Sequence, residues 1–394
     1  MDFSFDRAAD RSATPAIKYD ASFLKALFGR ADVLPFWVAD MEFGIPPFLA
    51  KAVERRMAGG NLGYEVYADS LRQAIVHWFG RRHAWEVDAS HLVFTPNLIS
   101  ALNLLLKCLT EEGDGVIVQT PVYAPFFQTI KAIGRRPVYN SLNRVDCCST
   151  VLESNPYTFD LSAFRQMALR PENKVLVLCS PHNPVGRVWR REELEELMRI
   201  AEEGDLFVIS DEIHGDLFYP PHRHLPLLSL PFVKPDRVAI LHSPAKTFNI
   251  AGVSRAFAVI PNRRLRRIFQ KRLEALFLQH PGALAQVVME AAYREGDAWV
   301  DALLVYLREN LRVVVDFFHR ELPEVVVTPL EGTYLLWLDF SAWGIKGKEV
   351  NRRLAERGVG LNPGYWFGPE GEGFMRMNLA CPREMLLEAL ERLK

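Results

Sequence analysis

The 394-residue chain is 49% hydrophobic and 24% charged with a formal net charge of −1, the balance of an ordinary soluble protein long enough for two domains. That charge creates no field favouring nucleic acid or an anionic membrane, no apolar run reaches the ~18 residues of a membrane span, and the segment 1–7 is too charged for a secretory signal. Five cysteines, including the adjacent pair Cys147-Cys148, lack CxxC or zinc-type spacing and fit the reduced thiols of a cytoplasmic protein better than a disulfide framework.

From about residue 46 the pattern alternates. Residues 46–57 predict a helix with prolines in its first turn, and 69–82 an amphipathic helix. A strand at 91–95, a helix at 98–109, a strand at 115–120 and a helix at 124–133 follow. Next come a strand at 136–140 and a helix at 161–168. Three short apolar runs at 174–179, 206–209 and 238–241 read as buried strands, with a helix at 191–203 among them. This alternation predicts an α/β fold with a mostly parallel sheet covered by helices on both faces. After Pro261 the character changes. Long helices are expected at 263–279 and 297–322. A strand-rich tail at 325–330, 333–340, 358–362 and 374–381 then carries helices at 348–357 and 382–394. The tail reads as part of a second domain closing over a crevice.

Each of the three apolar runs ends in a polar motif. Ser180-Pro181-His182-Asn183-Pro184-Val185-Gly186 follows the first, Ser210-Asp211-Glu212-Ile213-His214 the second, and His242-Ser243-Pro244-Ala245-Lys246-Thr247-Phe248-Asn249 the third. Ligands of parallel sheets bind beyond the carboxyl ends of the strands. An amide (Asn183), a carboxylate (Asp211), a hydroxyl (Ser243) and an amine (Lys246) are therefore expected on one crevice. A buried lysine becomes a nucleophile near neutral pH and forms Schiff bases. A carboxylate paired with a pyridine nitrogen makes that ring an electron sink. The set suits an enzyme holding pyridoxal 5′-phosphate. Glu212 is expected on the opposite face, since neighbouring strand residues alternate. Thr95-Pro96-Asn97-Leu98-Ile99-Ser100 opens a helix whose free N–H groups suit a phosphate, and Tyr123 is placed to stack on a flat ring. His182, His214, His222 and His224 lack the compact spacing of a metal site, so no metal is expected.

These motifs together resemble the fold-type I pyridoxal-phosphate enzymes. More narrowly, the chain is similar to the cystathionine β-lyases and cysteine-S-conjugate C–S lyases of the class I/II aminotransferase-like family. The resemblance extends through Trp37-Val38-Ala39-Asp40-Met41-Glu42-Phe43, Leu62-Gly63-Tyr64, Glu331-Gly332-Thr333-Tyr334-Leu335-Leu336-Trp337-Leu338-Asp339 and Phe374-Met375-Arg376-Met377-Asn378-Leu379-Ala380-Cys381-Pro382-Arg383. It implies a large cofactor-binding domain at 46–285 with a seven-stranded, mostly parallel sheet, and a smaller α+β domain formed by 1–45 and 286–394. It makes Lys246 the Schiff-base lysine and proton shuttle, Asp211 the partner of the ring nitrogen, and Asn183 the holder of the ring hydroxyl oxygen. Tyr123 stacks on the ring and is a proton donor beside Lys246. Ser243 and the amides near Leu98 and Ile99 take the phosphate, and His214 joins the cofactor-binding set although alone it reads as a packed histidine. Arg376, assisted by the backbone of Ala39 and by Asn183, takes the substrate α-carboxylate. A tyrosine matching Tyr64 reaches the neighbouring subunit's phosphate, which implies a homodimer with shared sites and an amino-acid substrate, without nucleic acid or membrane partners.

Two departures bear on the reaction. Many aminotransferases of this fold carry a phosphate-binding arginine eight residues after the lysine; here Ser254 stands there, with Arg255 next and expected on the other face. Asn97-Leu98 replaces a glycine common at the opening of the phosphate-binding helix. The first departure favours a lyase that releases thiol, pyruvate and ammonia. An aminotransferase and a cofactor-binding regulator of the same fold are the alternatives.

Overall fold

Short β-rich runs separated by amphipathic helices place a sheet inside two helical layers. The computed structural model describes residues 3–11, 13–145, 152–253 and 255–394, so Cys147, Cys148 and Ser254 lie outside the described residues. The chain begins with α1 (Ala21–Phe28), β1 (Leu34–Pro35), α2 (Pro47–Ala58) and α3 (Asp69–His83). Next come β2 (Leu92–Thr95), α4 (Leu98–Leu109), β3 (Gly115–Val118), α5 (Pro125–Ala132) and β4 (Arg136–Tyr139). A small ribbon of β5 (Asn143–Arg144) and β6 (Tyr157–Thr158) precedes α6 (Leu161–Ala168), β7 (Asn173–Cys179), α7 (Arg191–Glu203) and β8 (Phe207–Asp211). β9 (Val238–His242) and β10 (Ala256–Val259) complete this part.

The main sheet has seven strands in the order β2-β10-β9-β8-β7-β3-β4. Neighbours from β9 to β4 run parallel, and β10 is antiparallel to both β9 and β2. Alternation divides the strands between two cores. Leu176, Leu178, Val208 and Ile240 face one, while Val175, Val177, Phe207 and Ile209 face the other with α4 and α8 (Arg263–Ala275). On this alternation Asp211 shares the face of α4, and Glu212 is buried opposite, where it accepts from Ser210 and Leu227 and meets His224 at 3.0 Å.

The remaining chain forms α9 (Ala283–Glu295), α10 (Asp297–Glu321), β11 (Val326–Val327), β12 (Leu335–Asp339) and α11 (Gly347–Glu356). β13 (Val359–Gly360), β14 (Asn362–Pro363), β15 (Phe374–Asn378) and α12 (Arg383–Leu393) follow. A four-stranded antiparallel sheet runs β11-β12-β15-β14, with Trp337 stacked on Phe374 at 5.1 Å. β1 pairs in parallel with β13, which ties the N-terminal segment to the C-terminal part of the chain.

Several sequence expectations change here. The helix expected at 263–279 stops at Ala275, because the chain turns at Phe277 with φ +54° and then runs through Pro281 to start α9. α9 packs on α2 and α3. The strand expected at 325–330 pairs only at Val326–Val327, and the one at 358–362 divides into β13 and β14, which serve different sheets. β10 was not anticipated. Among the described residues, no helix is long and apolar enough to cross a membrane.

Candidate active site

Adjacent parallel strands bring their ends together. Cys179 pairs with Asp211 and Asp211 with Leu241, so the turns after β7, β8 and β9 open side by side. They floor a cavity of about 560 Å³. Lys246, Asp211, Asn183, Tyr123, Ser243, His214, Leu98, Ile99, Ala39 and Arg376 all line it. Tyr64 does not. It is fully exposed (101%), with its ring 6.5 Å from that of His280.

The charged groups are held by backbone and amide partners rather than by one another. Lys246 Nζ donates to the Ala39 carbonyl at 2.6 Å and has no carboxylate at ion-pair distance among the described residues. Burial brings this amine down to about 8, against the opposing pull of Asp40. Asp211 accepts from the Ile213 N–H at 3.0 Å, and burial pushes its carboxyl up to about 7. A buried carboxylate without a cation is costly, so a positively charged N–H entering the cavity would find its partner there.

At the other side, Arg376 on β15 donates to Asn183 Oδ1 at 3.0 Å and to the Trp37 carbonyl at 2.9 Å, with its guanidinium 4.9 Å from the Phe367 ring centre. Its Nε is buried without a partner among the described residues, and burial lowers the group to about 10. This cation suits a carboxylate.

The start of α4 faces the same cavity. Asn97 caps the helix by accepting from Ser100 N at 2.8 Å, a contact worth about 1 kcal/mol. The amides of Leu98 and Ile99 have no acceptor among the described residues, and they lie at the positive end of the helix. Ser243 donates to the Arg255 carbonyl at 2.8 Å, and Arg255 lines the same cavity. The expectation that Arg255 faces away is thus corrected. It precedes β10 instead of lying within it, so strand alternation does not govern its direction. Taken together, the amine, the carboxylate and the free amides fit a group with an aldehyde, a basic ring nitrogen and a phosphate, the three parts of pyridoxal 5′-phosphate.

Sequence reading missed the residues that hold this site in place. Asn249 has φ +55° and binds Met41 from both ends of its amide, at 2.9 and 3.0 Å, as well as the Phe43 carbonyl. Asp216, five residues after Asp211, accepts from Thr247 beside the lysine. Asn249 closes the lysine motif and Asp216 lies just past His214, but neither position signals the contact it makes.

The aminotransferase class I and II family matches residues 31–393. The chain is 37% identical over 392 residues to "Cystathionine beta-lyase PatB" of Bacillus subtilis, covering 99% of each. Its fold is similar to a PLP-bound putative aminotransferase from Clostridium difficile 630, with TM-score 0.94, 34% identity, and 100% and 99% of the two chains covered. It is likewise similar to the PLP-bound C-S lyase from Staphylococcus hominis, with TM-score 0.90, 29% identity, and 100% and 97% covered.

Proposed function

The chain belongs to the aminotransferase class I and II family, and on that premise we propose that it is a pyridoxal-phosphate-dependent carbon–sulfur β-lyase acting on L-cystathionine or related S-substituted L-cysteines. The observation that carries the reading is the end-to-end similarity to a cystathionine β-lyase, in a chain whose cavity unites Lys246, Asp211 and Arg376.

When bound, the cofactor supplies a sink for the electron pair released at Cα. Arg376 and the Ala39 backbone hold the substrate carboxylate, which fixes the Cα–H bond relative to Lys246. Lys246, neutral in a useful fraction because its position near 8 is close to the working pH, takes the Cα proton. Asp211 holds the proton on the ring nitrogen. Tyr123, whose burial keeps its phenol protonated, stands with Lys246 as proton donor to the departing sulfur. Loss of the Cβ–S bond and hydrolysis of the carbon fragment give thiol, pyruvate and ammonia.

A homodimer belongs to the same reading. Leu62, Tyr64, Val66, Leu276 and Phe277 are exposed, and the Tyr64–His280 contact joins the two segments that carry them. Such a patch on a soluble protein argues for a covering surface, and Tyr64 has no place in its own cavity. The division into a large unit (46–285) and a small unit (1–45 with 286–394) is supported by the separate four-stranded sheet and the β1–β13 pairing. A cytoplasmic location is supported by Cys108, Cys179 and Cys381, which are free thiols among the described residues.

The test is pyruvate and thiol formation from L-cystathionine by the purified, cofactor-loaded protein without a keto-acid acceptor. Many turnovers with matched products are expected. Loss of the cofactor's visible absorbance after one equivalent of amino acid, without sustained pyruvate, would replace this reading by an aminotransferase.

A further inference from the structure

Two donors meet on one backbone oxygen. The Ala39 carbonyl accepts from Lys246 Nζ at 2.6 Å and from Tyr334 Oη at 3.0 Å. Tyr334 is buried at the entry to β12, its ring 6.0 Å from that of His214, and among the described residues its hydroxyl has no other acceptor. A carbonyl oxygen has two lone pairs, so both are engaged.

That oxygen is not free to move. The carbonyls around it are held one by one by side chains. Trp37 is held by Arg376 at 2.9 Å, Val38 and Asp40 by Asn378 at 2.7 and 2.6 Å, and Met41 by Asn249 at 3.0 Å. The Ala39 carbonyl is therefore a fixed point where the lysine amine rests whenever it is not bonded to the cofactor.

We propose that Tyr334 is a positioning residue for the acid–base lysine: by occupying one lone pair of the Ala39 carbonyl it fixes the resting place of the Lys246 amine and weakens that carbonyl's hold on the amine's protons. A carbonyl binds an ammonium more strongly than a neutral amine. A second donor drains electron density from the same acceptor, and the difference shrinks. The amine is then easier to keep in the neutral form that removes a proton from carbon.

Other groups also face Lys246. Asp40 and Lys18 approach from the N-terminal segment, Asp211 and His214 from the end of β8, and Arg376 from β15. All of them persist when only the tyrosine hydroxyl is removed, so a Tyr334→Phe comparison isolates its effect. The proposal rests on Lys246 being the acid–base group, and not on which reaction follows.

The test uses the full-length chain and two readouts. One is the rate at which cofactor-free protein captures pyridoxal 5′-phosphate, followed by absorbance against pH; the cofactor's own titration is common to both proteins and cancels. The other is the pH profile of kcat in the holoenzyme. In Tyr334→Phe both midpoints are expected to rise by roughly half a unit or more. Tyr334→3-fluorotyrosine, a stronger donor, is expected to lower them. Unchanged midpoints in a Tyr334→Phe protein of wild-type melting temperature would overturn the proposal. Should that variant fail to fold, an unchanged midpoint in the fluorotyrosine protein overturns it equally. Failure of the lyase reading would appear separately, as absence of pyruvate from the wild-type enzyme with the capture midpoints unaffected.

Discussion

Thr247 donates its hydroxyl to Asp216 at 2.8 Å, which anchors the turn carrying Lys246 to a carboxylate with no access to solvent. The same carboxylate accepts from Trp78 Nε1 at 2.8 Å and meets His83 Nε2 at 2.9 Å. Burial alone would push its carboxyl up, but His83, His242 and Trp78 hold it well below the usual range. Asp216→Ala leaves these donors stranded and is expected to cost about 3–5 kcal/mol of stability, read by denaturant unfolding. A wild-type unfolding midpoint would show that the anchor is dispensable.

Asp211 makes a prediction about the cofactor. Asp211→Ala is expected to lose cofactor on dialysis and to lower kcat about a hundredfold, the scale of removing one preorganised electrostatic partner. A variant with the normal absorbance and rate excludes the ring-nitrogen role.

Arg376 is expected to act on substrate binding. Arg376→Lys keeps the charge but loses the planar fork, at a cost of about 2 kcal/mol or roughly thirtyfold in kcat/KM, most of it in KM. The cofactor absorbance of the resting enzyme should not change. An unaltered KM would remove Arg376 from carboxylate binding.

Two buried histidines set an acid limit on stability. Burial lowers both His182 and His242 to about 4, with His182 Nε2 donating to the Pro121 carbonyl at 2.9 Å. Unfolded imidazoles take up protons near 6.5. The stability these groups contribute is therefore complete above that pH and is lost as pH falls from about 6.5 through 4, by as much as roughly 3 kcal/mol each. Melting temperature should decline over that window, and His182→Gln should flatten the decline. A constant melting temperature down to pH 4.5 would contradict the assignment.

Tyr64 tests the shared site. A Tyr64→Ala protein and a Lys246→Ala protein should each have little or no activity. Mixed subunits should regain it, because one hybrid site combines an intact Lys246 with an intact Tyr64 from the other chain. Absence of recovery after verified subunit exchange would place Tyr64 outside the partner's cavity.

Much of the central sheet was legible because its signals are local. The helices at Leu98–Leu109, Leu161–Ala168 and Arg191–Glu203 fall where the alternating pattern puts them. The polar turns that end β7, β8 and β9 stand out because apolar runs stop abruptly at them. β10 carries no such signal: Ala256-Phe257-Ala258-Val259 becomes a strand because β2 and β9 offer it an edge on each side. The break after Ala275 is equally tertiary, since α9 has to reach back to α2 and α3.

By itself the sequence determined which residues stand at the strand ends, and hence that an amide, a carboxylate and an amine share one crevice, because each depends on a few consecutive residues and on parallel strands ending together. Only the tertiary structure decided what completes that crevice. Ala39 stands 207 residues before Lys246 and 295 before Tyr334, Arg376 reaches Asn183 across 193, and Arg255 lines the cavity against the expected alternation. Their meeting depends on sheet order, on the N-terminal segment clamped carbonyl by carbonyl, and on packing between two sheets. No local pattern of side chains encodes contacts at that separation, because periodicity reports which face a residue takes and not what it faces.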